Sequence, residues 1–100
     1  MPLTLYFRPS FKRSLKSLTP EQLEIVGLTL EALQVYYASH LDLMEAQRIA
    51  ARFFYKKLRH SYYEAGVESS LRVVLVREKE KCIAVMAGNH NQITRFLSNE

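Results

Sequence analysis

The strongest constraint on this 100-residue chain is a change of hydrophobic period at His60. Before it, apolar residues recur every three or four positions, as in Phe11, Leu15, Leu18 and in Leu23, Val26, Leu30, Leu33, Tyr37. After it they recur every two, and the residues are β-branched and aromatic. Helices followed by a run of strands predict a single α+β domain over residues 1–100, with N-terminal helices packed on one face of a small, mostly antiparallel sheet.

The punctuation sets the elements. Leu3–Phe7 is expected to be a first strand and residues 10–18 a short amphipathic helix. Thr19-Pro20-Glu21-Gln22 combines a capping hydroxyl, a proline at the first helical position and the glutamine of a capping box, so a long helix starts there. Asp42 to Glu45 is a second start, and residues 43–58 carry helical period. Strands follow at Tyr62–Val67, Leu71–Arg77 and Lys81–Ala87, and Asn91 caps a last turn over Gln92–Leu97. The expected order is β-α-α-(α)-β-β-β.

Several classes are excluded. Apolar residues form 48 % of the chain and charged ones 24 %, ordinary for a globular domain. Apolar runs reach about six residues, against the roughly 20 of a membrane-spanning helix, so no membrane is expected. The opening residues lack the pattern of a signal peptide, and Cys82 is alone, so a reducing cytoplasm is the expected compartment. Neither HxxxH nor CxxC spacing is present, so neither a metal nor another cofactor is expected.

The net charge of +4 is concentrated. Residues 48–60 hold Arg48, Arg52, Lys56, Lys57 and Arg59 and no acid, while the flanking segments together are slightly acidic. On a helix over 43–58, Arg48, Arg52, Lys56 and Arg59 fall within an arc of about 80°. Such a stripe suits a phosphate backbone or an acidic partner, and equally a solvated helix face.

A three-residue loop, Glu68-Ser69-Ser70, makes Val67 and Leu71 neighbours. Tyr63, Ala65, Val67, Leu71, Val73 and Leu75 then face the helices, and Tyr62, Glu64, Gly66, Arg72, Val74 and Val76 the other side. If Lys79-Glu80 form a two-residue turn, Arg72 lies opposite Ala87 and the segment Gly88-Asn89-His90 leaves the sheet beside it. Arg72, His90 and Tyr62 are expected on an open face, with Lys57, Arg59 and His60 arriving from the preceding helix. A guanidinium suits the charge of a phosphorane and an imidazole suits proton transfer near neutral pH, the chemistry of RNA cleavage by its own 2′-hydroxyl. The structural alternatives are a cross-strand ion pair of Arg72 with Glu64, a helix C-cap at His60 and a polar turn at His90. Cys82 is expected to be a small core residue.

The sequence resembles the RelE/ParE superfamily of bacterial toxin–antitoxin toxins, in its RelE/YafQ-like branch. The resemblance spans nearly the whole chain. It runs through Leu5-Tyr6-Phe7 and Phe11 to Leu18, Lys57-Leu58-Arg59 with Tyr63-Glu64, Leu71-Arg72-Val73-Val74, and Gly88-Asn89-His90 through Ile93 to Phe96-Leu97. It implies a cytoplasmic toxin with a cognate antitoxin, assembled as a hetero-oligomer. It implies metal-independent cleavage of mRNA on the ribosome, so the chain is expected to be an endoribonuclease. Arg72 matches the arginine that stabilises the transition state, and His90 matches the acid. Lys57 and Arg59 match the basic segment that contacts RNA, extended here by Lys56 and Arg52. Relatives place a basic lysine on the strand where this chain has Glu64, and His60 is the residue offered in its place. A gyrase-inhibiting toxin without nuclease chemistry, and a non-toxic protein-binding module, are the alternative functions.

Overall fold

A computed structural model describes residues 3–99. Strand β1 (Thr4–Phe7) leads into helix α1 (Pro9–Ser14) and one 3-10 turn (Leu15–Ser17). Helix α2 (Pro20–Ala38) and the short α3 (Leu43–Gln47) follow, then strands β2 (Phe54–Arg59), β3 (Tyr62–Gly66), β4 (Arg72–Glu78) and β5 (Lys81–Gly88), and helix α4 (His90–Ser98). The five strands lie in the order β1-β5-β4-β3-β2, and only β1, beside β5, is parallel to its neighbour. The α+β class and the mostly antiparallel sheet are as expected.

Helix α2 begins at the predicted capping box. Thr19 Oγ1 accepts from the Gln22 amide at 3.2 Å, and Gln22 Oε1 accepts from the Thr19 amide at 2.9 Å. Its inner face places Val26, Ala32, Leu33 and Tyr37 in a core shared with Phe11, Phe53, Val73, Leu75 and Ala84.

The predicted helix over 43–58 is corrected. Asp42 caps α3 as expected, accepting from the Met44 amide at 3.0 Å, but the helix stops at Gln47. Phe54–Arg59 is instead a strand, with Phe54 opposite Gly66 and Lys56 opposite Glu64. Phe53 and Tyr55 point into the helix-side core while Phe54 and Lys56 lie on the other face, a period of two hidden inside an apparently helical pattern. Bulky aromatics suit a pleated surface, and pairing with β3 satisfies backbone groups along the segment. The expected group of three strands is therefore four.

The start of α4 is also corrected. Asn89, rather than Asn91, is the cap: its Oδ1 accepts from the Gln92 amide at 2.9 Å and Gln92 Oε1 accepts from the Asn89 amide at 2.8 Å. Ile93, Phe96 and Leu97 pack this helix on Val74, Val76, Val85 and Met86, the sheet face expected to be open. Helices thus cover both faces, because that face carries its own row of valines, whose burial α4 supplies. Among the described residues, no helix is long and apolar enough to cross a membrane.

Candidate RNA-binding groove and cationic site

The predicted β3–β4 register holds, with Gly66 opposite Arg72, Glu64 opposite Val74 and Tyr62 opposite Val76. Glu78 pairs with Lys81 around the two-residue turn. Arg72 faces Gly88 rather than Ala87, because a bulge between Val74 and Leu75 inserts one residue of β5. That step moves Gly88 onto the face of Arg72. A Cβ there would meet Gln92 Oε1 at 2.6 Å, so the first turn of α4 lies directly over it. His90, exposed at the first position of α4, therefore stands at the same end of the sheet as Arg72.

Between β2, β3 and the β3–β4 loop runs an open groove of about 460 Å³, lined by Arg52, Phe54, Lys56, Glu68, Ser69 and Arg72. Arg52, Lys56 and Arg72 bring three cations to it, and two of them, Arg72 and Lys56, meet the Glu64 carboxylate. The Arg72 guanidinium lies 5.4 Å from the centre of the Phe54 ring. Its Nη1 donates to Glu64 Oε1 at 2.7 Å, and Lys56 Nζ lies 3.4 Å from the same oxygen. The cross-strand ion pair is thus real, and it coexists with a place on the groove wall. Glu68 is a structural acceptor. Burial pushes its carboxyl up, but the Ser70 amide at 2.6 Å, the Ser70 hydroxyl, the Leu71 amide at 2.9 Å and the Arg72 charge together hold it below the usual carboxylate range. A carboxyl so stabilised in its charged form is a weak base.

The seven site residues predicted from sequence divide. Arg72, Lys56 and Arg52 come together at the groove, and His90 stands at that end. Lys57, on the edge strand β2, pairs with Tyr63 and belongs to the helix side of the sheet, away from the groove it was expected to share with Lys56. Arg59 donates through Nη2 to the Leu97 carbonyl in the last turn of α4, where a cation complements the helix dipole. His60 caps no helix. It sits with φ 49° in the turn between β2 and β3. Arg59 and Tyr62 flank that turn, four residues of β3 from Gly66, so His60 is about 13 Å along the sheet from the Arg72 row. The expected convergence of His60 with Arg72 is therefore corrected, and Tyr62 packs edge-on against Phe96 instead of lining an open face. Phe54, Glu68 and Ser69 line the groove without having been singled out. For Phe54 the missing signal was the strand period of its own segment.

No protein-family model matches the chain, and no curated protein does. Solved structures match over nearly its full length. The RelE component of a RelB–RelE antitoxin–toxin complex from Methanococcus jannaschii superposes with TM-score 0.64 at 18 % identity, over 91 % of this chain and 96 % of that one. The toxin of the E. coli DinJ–YafQ complex gives 0.66 at 12 % identity, over 93 % and 98 %. The fold is that of RelE and YafQ toxins.

Proposed function

We propose that the chain is the toxin of a type II toxin–antitoxin pair and cleaves mRNA on the ribosome without a metal. The observation that carries the reading is the Arg72–Lys56–Arg52 groove at the end of the sheet where α4 presents His90. The fold shared with two toxins solved beside their antitoxins supports it. In this reading the RNA backbone lies along the groove, and the 2′-hydroxyl, giving its proton to solvent water, attacks the adjacent phosphorus as the bond to the 5′-oxygen breaks. Arg72 offsets the charge that builds on the non-bridging oxygens, where a fixed cation is worth most. His90 gives a proton to the departing oxygen. Lys56 and Arg52 hold flanking phosphates. His60 has no part in the step, and Arg59 acts by holding α4. The partner is a cognate antitoxin that shields this groove, and the compartment is the cytoplasm.

Controlled expression in a bacterial host tests this, with RNA ends mapped by primer extension. Discrete breaks in mRNA and arrested growth are expected. Arg72→Ala and His90→Ala should each lower cleavage by about 10²-fold or more while remaining folded. Growth arrest with intact mRNA and gyrase-dependent DNA breaks would overturn the nuclease reading in favour of a gyrase inhibitor.

A further inference from the structure

Glu64 is the only charged side chain buried among the described residues, at 2 % exposure. It sits at the centre of β3, with Lys56 of β2 on one side and Val74 of β4 on the other. One of its oxygens, Oε1, meets both cations, Arg72 at 2.7 Å and Lys56 at 3.4 Å. The guanidinium is held on a second side by the Phe54 ring, 5.4 Å from its centre. Phe54 can lie there because its cross-strand partner is Gly66: a Cβ would come within 2.8 Å of the ring. The Arg72 Nε is buried without a hydrogen-bond partner.

Two consequences of this arrangement pull in opposite directions. By charge alone, a carboxylate between two groove cations weakens the attraction for any polyanion, so its removal should tighten binding. By geometry, a buried carboxylate and an aromatic wall leave the guanidinium one orientation, and a fixed donor needs no reorganisation when charge develops beside it. Ion-pair burial is also a weak source of stability, since apolar replacements of such pairs are often neutral or better.

We infer that Glu64 is a positioning residue, which acts through Arg72 to orient its guanidinium toward the reacting phosphate and gives up some RNA affinity to do so. This rests on the nuclease reading above.

The experiment uses the purified full chain and ribosomes programmed with an mRNA containing the cleavage sequence found by primer extension. For Glu64→Gln, of nearly the same shape, kcat should fall at least tenfold while KM stays equal or falls. Glu64→Asp should recover part of kcat. In the Arg72→Ala background, Glu64→Gln should cause no further loss, because its effect passes through Arg72. Nitrogen-15 relaxation of the Arg72 Nε–H group supplies a readout independent of turnover. It should be ordered in the wild type and in Glu64→Asp and mobile in Glu64→Gln, with thermal unfolding confirming that each variant is folded.

A wild-type kcat in Glu64→Gln, equal losses with and without Arg72, or an Nε–H group equally ordered in wild type and Glu64→Gln would overturn the inference and leave the nuclease reading standing. A wild-type chain that cleaves no RNA, in solution or on ribosomes, would overturn that reading and this role with it.

Discussion

Lys56 and Lys57, adjacent in the chain, stand on opposite faces of the sheet. Lys56 approaches Glu64 across the groove, whereas Lys57 pairs with Tyr63, whose ring stacks on Tyr55 on the helix side. On the expected helix Lys57 would have stood about 100° from Lys56, outside the basic stripe. The strand separates them, and RNA binding should report it. Lys56→Ala is expected to weaken binding of single-stranded RNA and to reduce the slope of log affinity against log salt by about one. Lys57→Ala should leave both nearly unchanged. Equal effects in a filter-binding titration would refute the assignment of the groove to one face.

Arg59 ties two remote parts of the chain, donating from the end of β2 to the Leu97 carbonyl at the end of α4. The bond gives a carbonyl of the last turn a side-chain donor, and the cation sits at the negative end of the dipole. Arg59→Ala should cost about 0.3–1 kcal/mol of stability. Amide exchange should quicken in the last turn of α4 and not in β4. Unchanged exchange in that turn would show that the bond does not hold the helix.

Gly66 is glycine because Phe54 crosses it. An added methyl group would lie 2.8 Å from Phe54 Cε1 and 3.4 Å from the Leu71 carbonyl oxygen. Gly66→Ala should destabilise by about 1–3 kcal/mol, the usual range for overpacking. The Phe54→Ala change should absorb part of that penalty, so the double variant should be more stable than the sum of the singles predicts. Strict additivity in urea unfolding would argue against the clash.

Cys82 is fully buried, and its Sγ lies 2.6 Å from the Tyr37 hydroxyl, which is in turn 3.1 Å from that of Tyr55. Burial raises the thiol above its ordinary range, and burial likewise raises the phenol of Tyr37. The native chain should therefore react with iodoacetamide at pH 8 slower than the unfolded chain by a factor on the order of 10² or more, since exposing a core strand costs several kcal/mol. Rapid labelling without denaturant would contradict this packing.

The Glu68 carboxyl, held below its usual range by the Ser70 and Leu71 amides, makes stability depend on pH. A group whose folded pKa is depressed stabilises the fold above its unfolded pKa, and that contribution is lost as pH falls through the folded value. Glu68→Gln should thus be less stable than the wild type at pH 7. The difference should shrink as the pH is lowered from about 5 toward 3. A gap that stays constant through this window in thermal melts would show that the loop does not prefer the charged form.

Local signals were legible wherever one short segment decided them. Thr19 and Gln22 cap α2 as their spacing requires, the β3–β4 register follows from loop length, and Lys79-Glu80 close β4 on β5. The inward and outward faces of β3 and β4 were consequences of that register. Arg72 could be placed on its face in the same way, although the bulge at Val85 shifted its partner from Ala87 to Gly88. Such a bulge depends on how β1, β5 and α4 pack together, which no local pattern encodes.

The segment from Arg48 to Arg59 shows where local pattern stops. Its residues satisfy a helical and a strand period at once, and pairing with β3 selects the strand. From its sequence alone this chain determined an α+β order, a cationic segment and an arginine on a defined strand face. Only the tertiary structure decided which cations share that face, that α4 covers its far end, and that Glu64 grips Arg72. The reason is that capping and alternation act over a few residues, whereas the choice of element and face depends on hydrogen bonds and apolar area supplied by segments far away in the chain.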